Sequence, residues 1–133
     1  MKINIQKEVS RDVLENIFVT ALEGGSNYWY YINNENGKKI RDAVSRDEEP
    51  SFSMAFAKAI LDKRLSIEVH DIEDMDNDEP LGVINEQTIM SGLQKMVDDG
   101  YGWALFDEIA EQGDATSSDM CFQYMVLGEV MFG

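Results

Sequence analysis

Ten residues between Glu23 and Ile32 constrain the fold of this 133-residue chain more than any other stretch. They place two glycines, a serine and an asparagine directly before four consecutive aromatic residues. Glycine can end a helix through positive φ, and Ser and Asn favour caps and turns. The stretch therefore predicts that a helix stops at Gly24-Gly25 and that an extended segment follows from residue 28 to residue 32.

The extended segment would carry aromatic side chains on both faces. Because side chains alternate along a strand, Tyr28, Tyr30 and Ile32 share one face, and Trp29 and Tyr31 share the other. A single layer of helices cannot easily cover both faces in so small a domain. The segment is either core and sheet edge or a partner-binding surface, since Tyr and Trp make large, rigid contacts. The binding interpretation makes Tyr28, Trp29, Tyr30 and Tyr31 candidate site residues.

Hydrophobic periodicity organises the rest of the chain. Period-two alternation predicts strands at residues 2–9, 28–32, 65–72 and 80–84. Asn33–Gly37 has the composition of a turn, with Asn36-Gly37 favouring positive φ. Helical periodicity predicts a helix capped by Ser10, helices over 38–46, 51–61, 85–100 and 101–112, and a central last helix capped by Thr116 or Ser117. We expect one α+β domain over residues 1–133, with helices packed on one face of a mainly antiparallel sheet of about four strands.

Composition sets the class of protein. The chain is 44% hydrophobic, which is enough to build a core despite a net charge of -15. Its lone cysteine, Cys121, cannot form an internal disulfide, which favours a reducing compartment. The first residues lack an apolar signal core, and no apolar run approaches about 18 residues. A cytoplasmic protein with no membrane association is expected.

The charge is confined to one half of the chain. Residues 1–64 hold ten Lys and Arg against ten Asp and Glu, whereas residues 65–133 hold only Lys95 against sixteen acids, a balance of -15. Such a field repels nucleic acid and anionic membranes and attracts basic partners. Direct nucleic-acid binding is not expected because it needs clustered Lys and Arg.

The densest acidic stretch lies between the third and fourth predicted strands. Its beginning, Asp74-Met75-Asp76-Asn77-Asp78, resembles a calcium-binding EF-hand loop. The match fails at the sixth position, Glu79, where glycine is required, and at the twelfth, Asn85, where a bidentate glutamate belongs. We therefore expect a solvated loop without a specific metal site. Its candidate partner-binding residues are Glu73, Asp74, Asp76, Asp78 and Glu79.

Catalytic motifs are not apparent in the sequence. His70 is the only histidine, and Cys121 lies in an apolar segment that disfavours a thiolate. Helix capping is the simpler explanation for the hydroxyls and carboxylates between Asp114 and Asp119. Glu129 is the isolated acid in the apolar last helix, and if buried it needs a partner or stays protonated. Neither a phosphate loop nor a Gly-x-Ser-x-Gly motif is present. No cofactor is expected, and the chain is more consistent with a binding protein than with an enzyme.

Three segments together resemble a family of small uncharacterised proteins encoded in bacteriophages and prophages. The segments are Ala21–Tyr30 with its EGGSNYWY box, Gly113–Thr116, and Phe122–Gly133, whose ending is Gly-Glu followed by two hydrophobic residues, an aromatic residue and glycine. Residues 33–64 lie outside the resemblance. The resemblance implies a phage or prophage setting and the host-cell cytoplasm, and it carries over no catalytic residue.

These observations favour a non-catalytic accessory protein that binds a basic surface on a host or phage protein. One version is mimicry of nucleic acid, in which the chain occupies the basic groove of a host enzyme and inhibits it. A small-ligand or nucleotide-binding domain built on the aromatic box is the main alternative, and a virion or assembly component is another. The chain is expected to be a monomer or a homodimer.

Overall fold

A computed structural model describes all 133 residues and has six α-helices and three short strands. The α+β class is therefore confirmed. The helices are α1 (Arg11–Thr20), α2 (Asn34–Ala43), α3 (Phe52–Leu61), α4 (Glu86–Asp98), α5 (Gly102–Ile109) and α6 (Ala115–Leu127). A π-helical turn, Ala21–Gly25, extends α1. The strands are β1 (Tyr30–Tyr31), β2 (Ile67–Asp71) and β3 (Gly82–Ile84). No helix has the length and apolar character needed to cross a membrane.

The helices begin at polar caps that the sequence marks. Ser10, Ser51 and Asn85 each accept a hydrogen bond from the backbone N–H three residues ahead, which satisfies a donor that the helix leaves unpaired. The predicted helix starts at Ser10 and Asn85 are confirmed. The last helix is capped by Asp114, not by Thr116 or Ser117, and the Ser117 hydroxyl completes a capping box.

The sheet has three strands where about four were predicted. It is antiparallel in the order β1-β2-β3, with Tyr30 opposite Asp71 and Ile67 opposite Ile84. The predicted hairpin between residues 65–72 and 80–84 is confirmed in shorter form. The predicted strand at residues 2–9 is wrong: this segment pairs with nothing, and Ile3 is 72% exposed. Alternation produces a strand only where a neighbouring edge supplies hydrogen bonds.

Helix α6 is the centre of packing. Nine of its thirteen residues are buried, and it contacts α1, α4, α5, the π turn and β3. The Phe122 ring packs against Phe18 and Phe56 with ring centroids 6.3 Å away in each case. The predicted central role of this helix is confirmed. Its axis, rather than a sheet face, organises the core.

Two predictions of local structure were wrong, one for the turn at residues 33–37 and one for the end of the last helix. Residues 33–37 are not a turn: Asn33 accepts a hydrogen bond from the Asn36 N–H and starts α2 there, and Gly37 is helical. Helix α6 ends early, because Gly128 adopts φ 76° and accommodates the left-handed conformation. Glu129 therefore lies beyond the helix and is exposed. It is not the buried acid that its sequence context suggested.

Some large apolar side chains on the helices are exposed. Their exposed fractions are 39% for Phe52, 63% for Met90, 50% for Trp103 and 44% for Phe106.

Gly92 permits the close approach of α4 to α6. A Cβ atom at this position would collide with the Tyr124 carbonyl oxygen and the Met125 Cα. We expect Gly92→Ala to lower the free energy of unfolding by about 2 kcal/mol, the typical cost of overpacking. Gly37→Ala is the matched control, because nothing lies within 4 Å of its added methyl. That variant should gain about 0.5–1 kcal/mol from helix propensity. Equal stabilities in chemical denaturation would contradict the predicted clash.

Candidate functional site

The aromatic box is attached to α6 through its glycines and polar residues. Gly25 lies so close to α6 that an added Cβ would be 2.8 Å from the Ala115 carbonyl oxygen. The helix does end at Gly24-Gly25, as predicted, but neither glycine has a positive φ in the left-handed region. Gly24 has an extended φ of 172°. The glycine requirement here is one of space at Gly25, not of left-handed backbone.

Asp119 is the buried acid around which the box is built. Its Oδ1 accepts hydrogen bonds from the Ser26 hydroxyl at 2.7 Å and from the Trp29 indole N–H at 2.8 Å. Its Oδ2 accepts from the Tyr28 hydroxyl at 2.5 Å and from the Gln123 amide at 3.0 Å. Only 8% of Asp119 is exposed, and no cation pairs with it. Four donors thus replace the water that a buried carboxylate loses.

The end of the chain closes over the same place. Gln123 accepts hydrogen bonds from the Met131 and Phe132 backbone N–H groups at 2.9 and 3.0 Å. The Phe132 ring stacks on Trp29 with a centroid separation of 5.3 Å and an interplanar angle of 6°. The box and the C-terminal residues, two of the segments that carry the family resemblance, therefore form one interlocked unit with α6.

The four aromatic residues of the box have different environments. Trp29 is buried, so the structural interpretation applies to it. Tyr30 is half-buried, and its hydroxyl donates to the Leu22 carbonyl oxygen at 3.4 Å. The Tyr28 ring is 46% exposed although its hydroxyl is bound to Asp119. The Tyr31 hydroxyl donates to the Met75 carbonyl oxygen at 3.1 Å. Contact with a partner stays a prediction for Tyr28, Tyr30 and Tyr31, none of which is fully buried.

The structure brings the box and the acidic loop together. The Ile72 N–H donates to the Trp29 carbonyl oxygen at 3.0 Å, and Tyr31 reaches Met75 in the loop itself. Strand β1 is hydrogen-bonded to β2, from which the loop departs. The candidate residues that lie together are therefore Tyr31, Glu73, Asp74, Asp76, Asp78 and Glu79. Tyr28 is held on the other side, at α6.

The acidic loop, residues 71–79, has local order and free charge. Asp71 accepts a hydrogen bond from the Glu73 N–H at 2.9 Å, and Asn77 accepts one from the Glu79 N–H at 3.0 Å. The loop carboxylates form no ion pair. Two apolar side chains stand among them, with Ile72 37% and Met75 59% exposed. The loop thus combines an acidic surface with two apolar contacts.

The residues that could bind a metal or act as a nucleophile are dispersed or buried. No three His, Cys, Asp or Glu side chains are grouped as metal ligands would be. Burial raises the pKa of the Cys121 thiol well above its usual range, which keeps it protonated. His70 is buried, and its Nε2 lies 3.1 Å from the Asn33 amide nitrogen. Because the Asn33 oxygen already accepts the N–H of the α2 cap, that amide donates and His70 accepts.

Sequence reasoning missed Asp119 as the organising residue. It assigned Asp119 to a capping cluster, whereas only Asp114 and Ser117 act as caps. The available signal was an acid in a central helix that is otherwise largely apolar, and that signal was applied to Glu129. Glu129 follows the last helical residue, so the same reasoning selected the wrong acid.

Comparisons with known proteins return no match. No family model, no curated protein and no solved structure is similar to this chain. The resemblance to phage and prophage proteins therefore stays a prediction.

Removing the Asp119 carboxylate should destabilise the whole fold. We expect Asp119→Ala to lower the free energy of unfolding by about 3 kcal/mol, because it leaves the Ser26 hydroxyl and the Trp29 indole N–H buried without an acceptor. Asp78→Ala removes an exposed carboxylate from the loop and should change stability by less than about 0.5 kcal/mol. Denaturant titration of both variants measures the difference. Similar values would show that Asp119 does not organise the box.

Alkaline pH should weaken the attachment of the aromatic box to α6. Burial and the Asp119 carboxylate raise the pKa of Tyr28 to about 12. Because folding favours the neutral hydroxyl, its stabilisation is complete below the unfolded pKa of about 10 and is lost as the pH rises through the folded value. Tyr30 and Tyr124, whose pKa values are also raised to about 12, contribute to the same loss. Stability measured against pH should fall less steeply above pH 10 in Tyr28→Phe. An unchanged slope would contradict the assignment.

Proposed function

We propose that this chain is a non-catalytic acidic accessory protein of phage or prophage type that binds a basic surface on a host or phage protein. The observation that carries the proposal is the free charge of the acidic loop. Its carboxylates from Glu73 onward are exposed and unpaired, although ten Lys and Arg residues lie in the first half of the chain. The basic residues that form ion pairs do so with acids elsewhere.

Ion pairs between the loop carboxylates and lysines or arginines of the same chain would have neutralised the loop. Arg11 binds Asp62 at 2.6 Å, Lys58 lies 3.3 Å from Glu49, and Lys95 lies 2.9 Å from Asp99. None of these cations reaches the acidic loop. The loop field therefore remains available to attract a cationic partner over a distance of about 10 Å at moderate salt.

The apolar residues of the loop can contribute binding affinity that its charges alone do not provide. Exposed ion pairs contribute little net affinity, whereas apolar anchors surrounded by polar residues contribute more. Ile72 and Met75 stand among the loop acids in that arrangement, and the Tyr31 hydroxyl holds the loop backbone at Met75. We infer that a basic partner binds this combined surface, with the acids steering the encounter and the two apolar side chains contributing to its lifetime.

Mimicry of nucleic acid is one form of this proposal. The exposed carboxylates of the acidic loop can occupy a groove that normally binds phosphates, and the protein would thereby inhibit a host enzyme. The proposal places the protein in the host-cell cytoplasm, in keeping with its lone, buried Cys121.

The two main grooves of the molecule do not favour the ligand-binding alternative. Two open grooves lie along α4, and their lining residues come from neither the aromatic box nor the acidic loop. Trp29, the largest side chain of the box, is covered by Phe132 and by Phe122. A base or other planar ligand cannot stack there without displacing the end of the chain.

Charge reversal in the loop should weaken partner binding. We expect a variant with Asp74→Lys, Asp76→Lys and Asp78→Lys to recover about tenfold less partner from host lysate at low salt, a loss of about 1.4 kcal/mol. Capture by the unmodified protein should weaken steeply as salt increases, because screening shortens the electrostatic range. If mimicry is correct, duplex DNA should compete with this chain for the captured protein.

The matched control reverses three exposed acids in the balanced half of the chain. Glu35→Lys, Asp47→Lys and Glu48→Lys change the net charge by the same amount and leave the acidic loop intact. This control should retain binding. Equal recovery by the two triple variants would exclude the loop as the recognition surface, and salt-independent capture would exclude electrostatic steering.

A further inference from the structure

A large open groove lies between α4, α5 and residues 5–9. It encloses about 840 Å³ and is lined mainly by apolar side chains. Those that matter here are Leu14, Met90, Leu93, Val97, Phe106 and Ile109. A smaller groove of about 250 Å³ shares Leu14, Ile89 and Met90 with it, so the apolar surface continues toward α3. Nothing in the chain fills this surface, and Met90 and Phe106 are strongly exposed on it.

The first seven residues, which we call the arm, expose apolar side chains beside this groove. The arm has an alternating apolar pattern, yet it forms no strand, and Ile3 and Ile5 are 72% and 77% exposed. Residues 5–9 line one edge of the large groove, and the Lys7 amine lies 5.7 Å from the centre of the Phe106 ring. The arm thus runs beside an apolar groove with its own isoleucines in solvent.

Charge distinguishes the arm from the groove. The arm carries Lys2 and Lys7 and no acid. Helices α4 and α5 carry four acids against Lys95, including Asp98 and Asp107, which pair with no cation. Asp98 accepts a hydrogen bond from Gln94, a groove residue, at 3.0 Å. A basic segment with spaced apolar side chains therefore suits the apolar lining of the groove and the acids on the two helices beside it.

We propose that the chain forms a homodimer by exchanging arms, with the arm of each copy lying in the α4–α5 groove of the other. Ile3 and Ile5 are the anchors, and Lys2 and Lys7 face Asp98 and Asp107. A second copy is the occupant because the segment that suits the groove is this chain's own arm, which in the single copy lies only along the edge of its groove and leaves Ile3 and Ile5 exposed.

Length and symmetry agree with this arrangement. Seven extended residues span about 23 Å, and the thirteen residues of α4 span about 20 Å, so one arm covers the length of the groove. Each copy offers one arm and one groove. A two-fold axis therefore satisfies both grooves at once and closes the assembly at two chains. The dimer surface shares no residue with the acidic loop, so the loop stays free in the dimer.

Molecular mass in solution tests the exchange. At about 0.15 M salt, which screens the repulsion between two acidic copies, the full chain should sediment as a dimer. A variant with Ile3→Asp and Ile5→Asp and a variant with Met90→Glu should weaken the dimer about tenfold or more. All three residues are exposed in the single chain, so these variants keep its fold, which circular dichroism checks. Met131→Glu is the matched control, because Met131 is 56% exposed outside the groove, and it should remain dimeric.

Cross-linking separates exchange between copies from docking within one copy. A mixture of Ile3→Cys and Met90→Cys chains should form a disulfide-linked species of two chains under mild oxidation, while the buried Cys121 stays unreactive. A monomeric mass at every concentration would overturn the proposal. So would dimers that the arm and groove variants leave intact, or a disulfide between positions 3 and 90 that forms only within a doubly substituted chain. The acidic-loop experiment has an independent outcome, since it alters none of these residues.

Discussion

A buried carboxylate without a cation governs this structure. Asp119 in α6 is held by the hydroxyls of Ser26 and Tyr28, the indole of Trp29 and the amide of Gln123. A buried charge is costly unless it is fully hydrogen-bonded, so any movement of the box away from α6 would leave an unsatisfied acid. This requirement fixes the chain between the π turn and β1. It also holds the C-terminal residues, because Gln123 binds their backbone.

The attachment at Asp119 reaches the acidic loop through β1. Strand β1 is only two residues long, and a strand so short has little stability alone. It is positioned by Trp29 on one side and by β2 on the other. The loop that leaves β2 is therefore supported by a rigid scaffold, a common arrangement for binding loops. The proposed binding surface depends in this way on a carboxylate on a different helix.

The molecule keeps its two unfilled surfaces apart in both position and chemistry. The acidic loop offers charge with two apolar side chains, whereas the groove between α4 and α5 offers apolar area beside a few acids. Both belong to the half of the chain that holds all of the net charge. The first half supplies the basic arm. We propose that both surfaces bind basic segments, and that for the groove this segment is the arm of a second copy.

Local signals in the sequence determined the helices, the hairpin and the position of the acidic loop. Ser10, Ser51 and Asn85 are caps whose action depends only on neighbouring backbone. The last helix is apolar on nearly all sides, which predicts that it is central. Tertiary structure decided the rest. Residues 2–9 are no strand because they pair with no sheet edge, and Asp119 rather than Glu129 is the buried acid. Each of these outcomes depends on which distant groups supply or accept hydrogen bonds, and a linear pattern does not contain that information.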